Sequence, residues 1–241
     1  MAQSLARGRL PASILNASQL DKPQLLFLTP TDNARDTIWT PTLPGKPNAL
    51  VPLDLTPVQR EDEGLGEIAN PYTHELSLIL DNLPQDILTS IQDIPAAQAK
   101  DSFDTTPFVF VDDLEKYHSM LSDLSTAKAI AVDLEHHDFR TYTGLVCLIQ
   151  ISIEGKDFVI DALAPEVRKE LHKLNLTFTD PKIVKVFHGA ERDIIWLQRD
   201  CGVYVVGLFD TFHASKALGM SGCAVLGYGS CWPSLIYRLP V

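Results

Sequence analysis

The sequence predicts an α/β protein built on one mixed sheet, and three observations lead there. Short runs rich in Val, Ile and Phe recur from Pro107 to Phe209 and read as strands. Between the later runs lie segments of helical spacing, such as Val167, Leu171 and Leu174 at i, i+4 and i+7. Two of the runs are joined by Glu154-Gly155-Lys156-Asp157, a turn signal that makes them a hairpin.

Taken in order, residues 1–22 are small and polar without a sustained period and read as a frayed tail. Residues 23–102 form a proline-rich arm. Pro23, Pro30, Pro41, Pro44, Pro47, Pro52 and Pro57 remove donors and bias their predecessors to extended backbone. The arm still carries Leu25–Leu28, Trp39, Leu50–Leu53 and Tyr72, too apolar for a solvated linker, so it is expected to lie against a folded body. A short helix is expected at His74–Asp81. The body, residues 103–220, opens with a short strand at Pro107–Val111 and a helix over Asp113–Leu124. Strands follow at Lys128–Glu135, Leu145–Glu154 and Asp157–Leu163, then a helix opened by Pro165. Strands Lys182–Phe187 and Val203–Phe209 alternate with helices Glu191–Arg199 and Asp210–Leu218. From Lys128 the order is β-β-β-α-β-α-β-α. It predicts three antiparallel strands plus two parallel strands added by right-handed helical crossovers, a mixed sheet resembling the ribonuclease H-like layout.

Composition narrows the function. The chain has 241 residues, 45% of them hydrophobic, enough for a real core. No apolar run reaches the roughly 18 residues needed to span a bilayer, and Met1–Leu20 has no continuous apolar stretch like that of a secretory signal. The four cysteines include no Cys-x-x-Cys pair, and neither a zinc site nor a disulfide framework is suggested. A net charge of −11 argues against broad phosphate neutralisation. It leaves room for an enzyme that grips a few nucleotides through metal ions.

The chemistry gathers in AVDLEHHDF followed by RTYTGLVCLIQIS. Residues two apart on a strand share a face, so Asp133 and Glu135 project together from one strand end. Neighbouring carboxylates raise each other's pKa unless a cation sits between them, so the pair is either solvated or a divalent-metal site. The tripeptide alone decides nothing. Asp113-Leu114-Glu115 repeats it at the start of a helix, where Asp112 or Asp113 serves as N-cap and Glu115 complements the dipole. A further acid, Asp193, follows a strand and a glycine in FHGAERDIIWLQRD. Ligand sites in open α/β sheets gather beyond the carboxyl ends of parallel strands, which would bring Asp193 over the end that carries Asp133 and Glu135. Asp193 as a simple complement to its helix N-terminus is the competing reading. Trp196 reads as core packing or as a stacking surface for a base. His188 reads as a turn histidine or a ligand, and Asp210 as the cap of the next helix.

The segments AVDLEHHDFRTYTGLVCLIQIS, DPKIVKVFHGAERDIIWLQRDCGVYVVGLFDT and HASKALG resemble the DEDD-type, RNase D-like 3′–5′ exonucleases, and most of all the exoribonucleases associated with the nuclear RNA exosome in fungi. The resemblance runs from about Phe103 to Leu218, and the arm segments KPQLLF and NPYTHEL share it. It implies two-metal hydrolysis by Mg²⁺ or Mn²⁺ from the 3′ end of single-stranded RNA, releasing nucleoside 5′-monophosphates. It also implies a nuclear location and the exosome core as partner. Asp133 would bridge both ions, Glu135 would ligate one near the terminal ribose, and Asp193 would help hold the other through water. Trp196, His136, His137 and His188 would contact the last nucleotide.

The family's third motif, Tyr-x-x-x-Asp, has no counterpart here, because no acidic residue follows Asp210. Residues 221–241 are a Gly/Ser/Cys-rich string without period, expected to be foreign to the family, with the C-terminal helices missing. Loss of such a group costs roughly 10²–10⁴ in rate, so the chain as written is expected to be inactive or nearly so. A non-catalytic RNA- or protein-binding fragment and a DNA-directed 3′–5′ exonuclease are the alternatives.

Overall fold

The computed structural model describes residues 21–30, 39–58, 67–81, 107–138, 141 and 143–219. Most of the expected tail, the 82–102 end of the arm, residues 103–106 of the body and the string 221–241 lie outside the described residues.

Strands β1 (Pro57–Val58) and β2 (Glu67–Ile68) pair antiparallel in the arm, followed by helix α1 (Thr73–Asp81). The body contributes β3 (Phe108–Val111), α2 (Leu114–Leu124), β4 (Ala129–His137), β5 (Leu145–Ile153), β6 (Lys156–Asp161), α3 (Pro165–Glu170) and α4 (Asn175–Phe178). It continues with β7 (Val184–Phe187), α5 (Glu191–Trp196), β8 (Leu208–Asp210) and α6 (Thr211–Ala217). The main sheet has six strands in the order β3-β6-β5-β4-β7-β8. The meander β4-β5-β6 is antiparallel, and β7 and β8 join parallel to β4 as the crossover rule requires.

Three expectations need correction. Phe108–Val111 is a full member of the sheet, pairing parallel with β6 at its edge, so three strand pairs rather than two are parallel. An apolar run before a helix carries no signal of its partner. Val203–Val206 is buried but lies outside the sheet, and the last strand is Leu208–Asp210. The expected helix Glu191–Arg199 is α-helical only to Trp196. It then widens into a π-turn, Leu197–Cys201, closed by Gly202 in the left-handed region.

Alternation along β4 explains how the sheet serves both core and site. Ile130, Val132 and Leu134 are buried in the main apolar cluster with Ile149, Ile151, Phe158 and Phe187. Asp133 and Glu135 therefore stand on the opposite face. Between β4 and β5 the register slips: Glu135 faces Leu148, whereas His136 faces Val146, so Cys147 is the extra residue of a β-bulge. The bulge resets the alternation and lets Val146 join Ile149 and Ile151 in the core.

The arm is tied to the body by polar and apolar contacts. Tyr72 packs on Tyr204 with ring centroids 5.6 Å apart, in a second cluster with Leu43 and Val206. The Tyr72 hydroxyl donates to the Pro47 carbonyl at 2.9 Å, and Asn48 Nδ2 donates to the Leu176 carbonyl at 3.1 Å. Lys46 and Glu75 form a buried ion pair at 2.8 Å. The Arg168 guanidinium lies over the Phe27 ring, 4.2 Å from its centroid. Among the described residues, no helix is long and apolar enough to cross a membrane.

Candidate active site

β4 delivers Asp133 half-buried and Glu135 exposed just before the bulge, with Gln150 Nε2 donating to Glu135 Oε1 at 3.4 Å. β7 runs parallel beside β4, and its chain continues through His188-Gly189-Ala190 into α5, which carries Asp193 in its first turn. Asp193 is buried, only 9% exposed. An acid that merely complemented a helix end would sit in water, so burial speaks against that reading.

Asp210 organises this turn. It caps α6 by accepting from Phe212 N at 2.8 Å and His213 N at 3.4 Å. The same carboxylate accepts from Gly189 N at 3.0 Å and Ala190 N at 2.9 Å, at the start of α5. One side chain thus ties two helix N-termini. Burial alone would raise its pKa, but these four N–H groups outweigh it and hold Asp210 below the usual carboxylate range.

Asp193 is in the opposite condition. Burial, then the charges of Asp133 and Asp210, push its pKa up to about 7. Asp133 is also raised, first by burial and then by Glu135, against the backbone N–H of Leu134 and the nearby His188. Asp133 and Asp193 are therefore both desolvated carboxyls, and the charge of Asp133 opposes ionisation of Asp193. A divalent cation relieves that condition.

Among the described residues, no three His, Cys, Asp or Glu side chains converge into a ligand cluster on their own. A Mg²⁺-type ion takes one or two carboxylates, several waters and substrate phosphates. The donor set is all oxygen, as such an ion requires.

His188 stands beside the acids, its Nδ1 2.9 Å from Thr211 Oγ1. That hydroxyl gives its single proton to the Phe187 carbonyl at 2.9 Å, so His188 Nδ1–H is the donor. The ring meets Phe212 edge-on, with centroids 5.8 Å apart. His136 and Trp196 are brought together as a parallel stack, and His137 ends β4 next to them. Burial and the Arg199 charge lower the His136 pKa. Sequence reasoning missed the double role of Asp210, which looked like a helix cap only. It also missed Arg199 and Asp200, whose sole signal was a charged pair at the end of an apolar helix.

The chain is similar to known exonucleases. The 3′–5′ exonuclease family model matches residues 108–226. Exosome complex exonuclease RRP6 of Saccharomyces cerevisiae is 47% identical over 204 residues, which cover 84% of this chain and 27% of the yeast protein. Exosome complex component 10 of Homo sapiens is 36% identical over 234 residues, covering 86% of this chain and 25% of the human protein. The crystal structure of the catalytic core of RRP6 from Trypanosoma brucei superposes with a TM-score of 0.67 at 30% identity, over 92% of this chain and 58% of that one. The chain thus spans about a quarter of the length of the curated relatives it matches. A shared sheet and a family match that runs through Asp133, Glu135 and Asp193 lead to one conclusion: the chain belongs to the DEDD-type, RNase D-like 3′–5′ exonuclease family.

Proposed function

We propose that this protein acts as a 3′–5′ exoribonuclease of the nuclear RNA exosome pathway, trimming single-stranded RNA and releasing nucleoside 5′-monophosphates. The observation that carries the reading is the pair Asp133 and Asp193, both desolvated, with the Asp133 charge adding to the cost of ionising Asp193. The names of the relatives supply the exosome and, with it, the nucleus as the expected location.

Asp133, Glu135 and Asp193 would hold two divalent ions, Mg²⁺ or Mn²⁺. When bound, such ions stabilise both the attacking and the leaving oxygen of a phosphodiester. The protein's own part is positional. The bulged end of β4 aims Glu135, and Asp210 fixes the turn that presents Asp193. The His136–Trp196 stack would offer its rim to the terminal nucleotide, with His137 and His188 beside it. Metal binding is the sharper test, because it reads the three acids directly.

That test is Mn²⁺ binding by the full chain, alone and with a 5′-labelled single-stranded RNA. The reading expects Asp133→Asn to abolish tight Mn²⁺ binding and metal-dependent RNA retention or shortening. A non-catalytic RNA- or protein-binding role would leave both unchanged in D133N. A DNA oligonucleotide in parallel tests the DNA-directed alternative, because equal shortening of both would remove the preference for RNA.

A further inference from the structure

The end of β4 is gripped by two consecutive residues of the π-turn that follows the Asp193 helix. Arg199 Nη1 donates to the Thr143 carbonyl at 2.7 Å, and Nη2 reaches the Gly144 carbonyl at 3.3 Å and His136 Nε2 at 3.4 Å. Asp200 holds that guanidinium in a fork, Oδ1 to Nε at 2.6 Å and Oδ2 to Nη2 at 2.9 Å. Asp200 Oδ2 also accepts from Val146 N at 2.8 Å. Val146 is the register partner of His136, so both sides of the bulge are held by the same pair. The Asp200 side chain is 8% exposed and that of Arg199 24%, which makes the fork charge-assisted and largely dry.

The bulge needs such a clamp. Glu135 is the last residue before the register slips, and without the slip its neighbours would take other faces of the sheet. The His136 ring fills the space between Trp196 and Gly144. Gly144 has φ +70°, and a Cβ built there would collide with the imidazole. Both residues lie in the π-turn closed by Gly202, and both side chains reach the same strand pair. The helix presenting Asp193 is thereby strapped to the strand presenting Glu135.

We propose that Arg199, with Asp200, is a positioning residue of the candidate site: it locks the β4–β5 bulge and so sets the direction of the Glu135 carboxylate relative to Asp193. The proposal rests on the metal-site reading above. Groups that orient metal-binding side chains typically change affinity by roughly 10–100-fold when removed.

The experiment measures Mn²⁺ affinity by calorimetry, and melting temperature alongside, for the full chain and for R199K, D200N, K46A and D133N. R199K keeps the charge but loses the fork, and K46A is a structural control that breaks the buried Lys46–Glu75 ion pair of the arm. The expected result is an affinity loss of about 10-fold or more in R199K and D200N, beyond that of K46A at a comparable melting temperature. Unchanged affinity in R199K and D200N, with D133N abolishing binding, overturns the proposal and leaves the metal site standing. Unchanged binding in D133N removes the metal site itself. A loss in K46A as large as in R199K shows a general effect of destabilisation and also overturns the proposal. Should R199K and D200N not fold, hydrogen exchange of the unmodified chain decides. Mg²⁺ is then expected to slow exchange at the Val146 amide, and no change there counts against the clamp.

Discussion

His136 lies flat on Trp196, with ring centroids 4.1 Å apart and planes 3° from parallel. One ring comes from the bulged end of β4, the other from the last turn of α5, so the stack joins the two elements that present the acids. His136→Ala is expected to cost about 1 kcal/mol beyond the lost area. That corresponds to a melting temperature lower by about 2–4 °C. Tryptophan emission should shift to the red as one indole face opens. Unchanged emission and melting would mean that the stack does not persist in solution.

The Asp193 carboxyl gives the metal-free chain a particular pH dependence. Its folded pKa of about 7 lies above the ordinary unfolded value near 3.9, so the folded state binds the extra proton in that window. Stability from this group is present at low pH and is lost as pH rises from about 4 to about 7. The difference in stability between D193N and the unmodified chain should therefore widen in favour of D193N over that range, by at most ~4 kcal/mol. Denaturant melts at successive pH values check it. A flat difference would show that Asp193 is ionised throughout.

Asn175 is fully buried and serves three backbone groups. Its Nδ2 donates to the His172 carbonyl at 2.9 Å and the Gly202 carbonyl at 2.7 Å, and its Oδ1 accepts from Tyr204 N at 2.8 Å. Asn175→Ala leaves the Gly202 carbonyl and the Tyr204 amide buried without partners. The expected loss is about 2–4 kcal/mol, since each such group costs about 1–3 kcal/mol. Urea unfolding measures it, and a loss under about 0.5 kcal/mol would mean that water replaces the side chain.

Seating of the arm has its own probe. Gly202 sits at φ +62°, and a Cβ there would strike the Thr42 carbonyl of the arm. Gly155 has a similar φ of +75° and open space around it. Gly155→Ala should cost only the left-handed penalty of about 1–2 kcal/mol. Gly202→Ala should cost more and speed proteolysis within residues 39–58. Equal costs and equal digestion in the two variants would detach the arm from this contact.

Much of this protein is local in origin and was readable residue by residue. Alternation at two-residue spacing puts Asp133 and Glu135 on one face of β4, because successive side chains on a strand must alternate. Asp113 as a cap rests on a short-range bond, its carboxylate accepting from Lys116 N at 2.8 Å. The parallel placement of β7 and β8 follows from the helical crossovers. Other features depend on partners far apart in the chain. The edge pairing of Phe108–Val111 with β6, the Cys147 bulge and the π-turn that carries Arg199 and Asp200 are of this kind. So are the burial of Asp193 and its exposure to the charge of Asp133, which create the elevated pKa. Spacing along a chain encodes the direction of a side chain within its own element. The field and solvent around that side chain come from elements it meets only when the sheet is assembled.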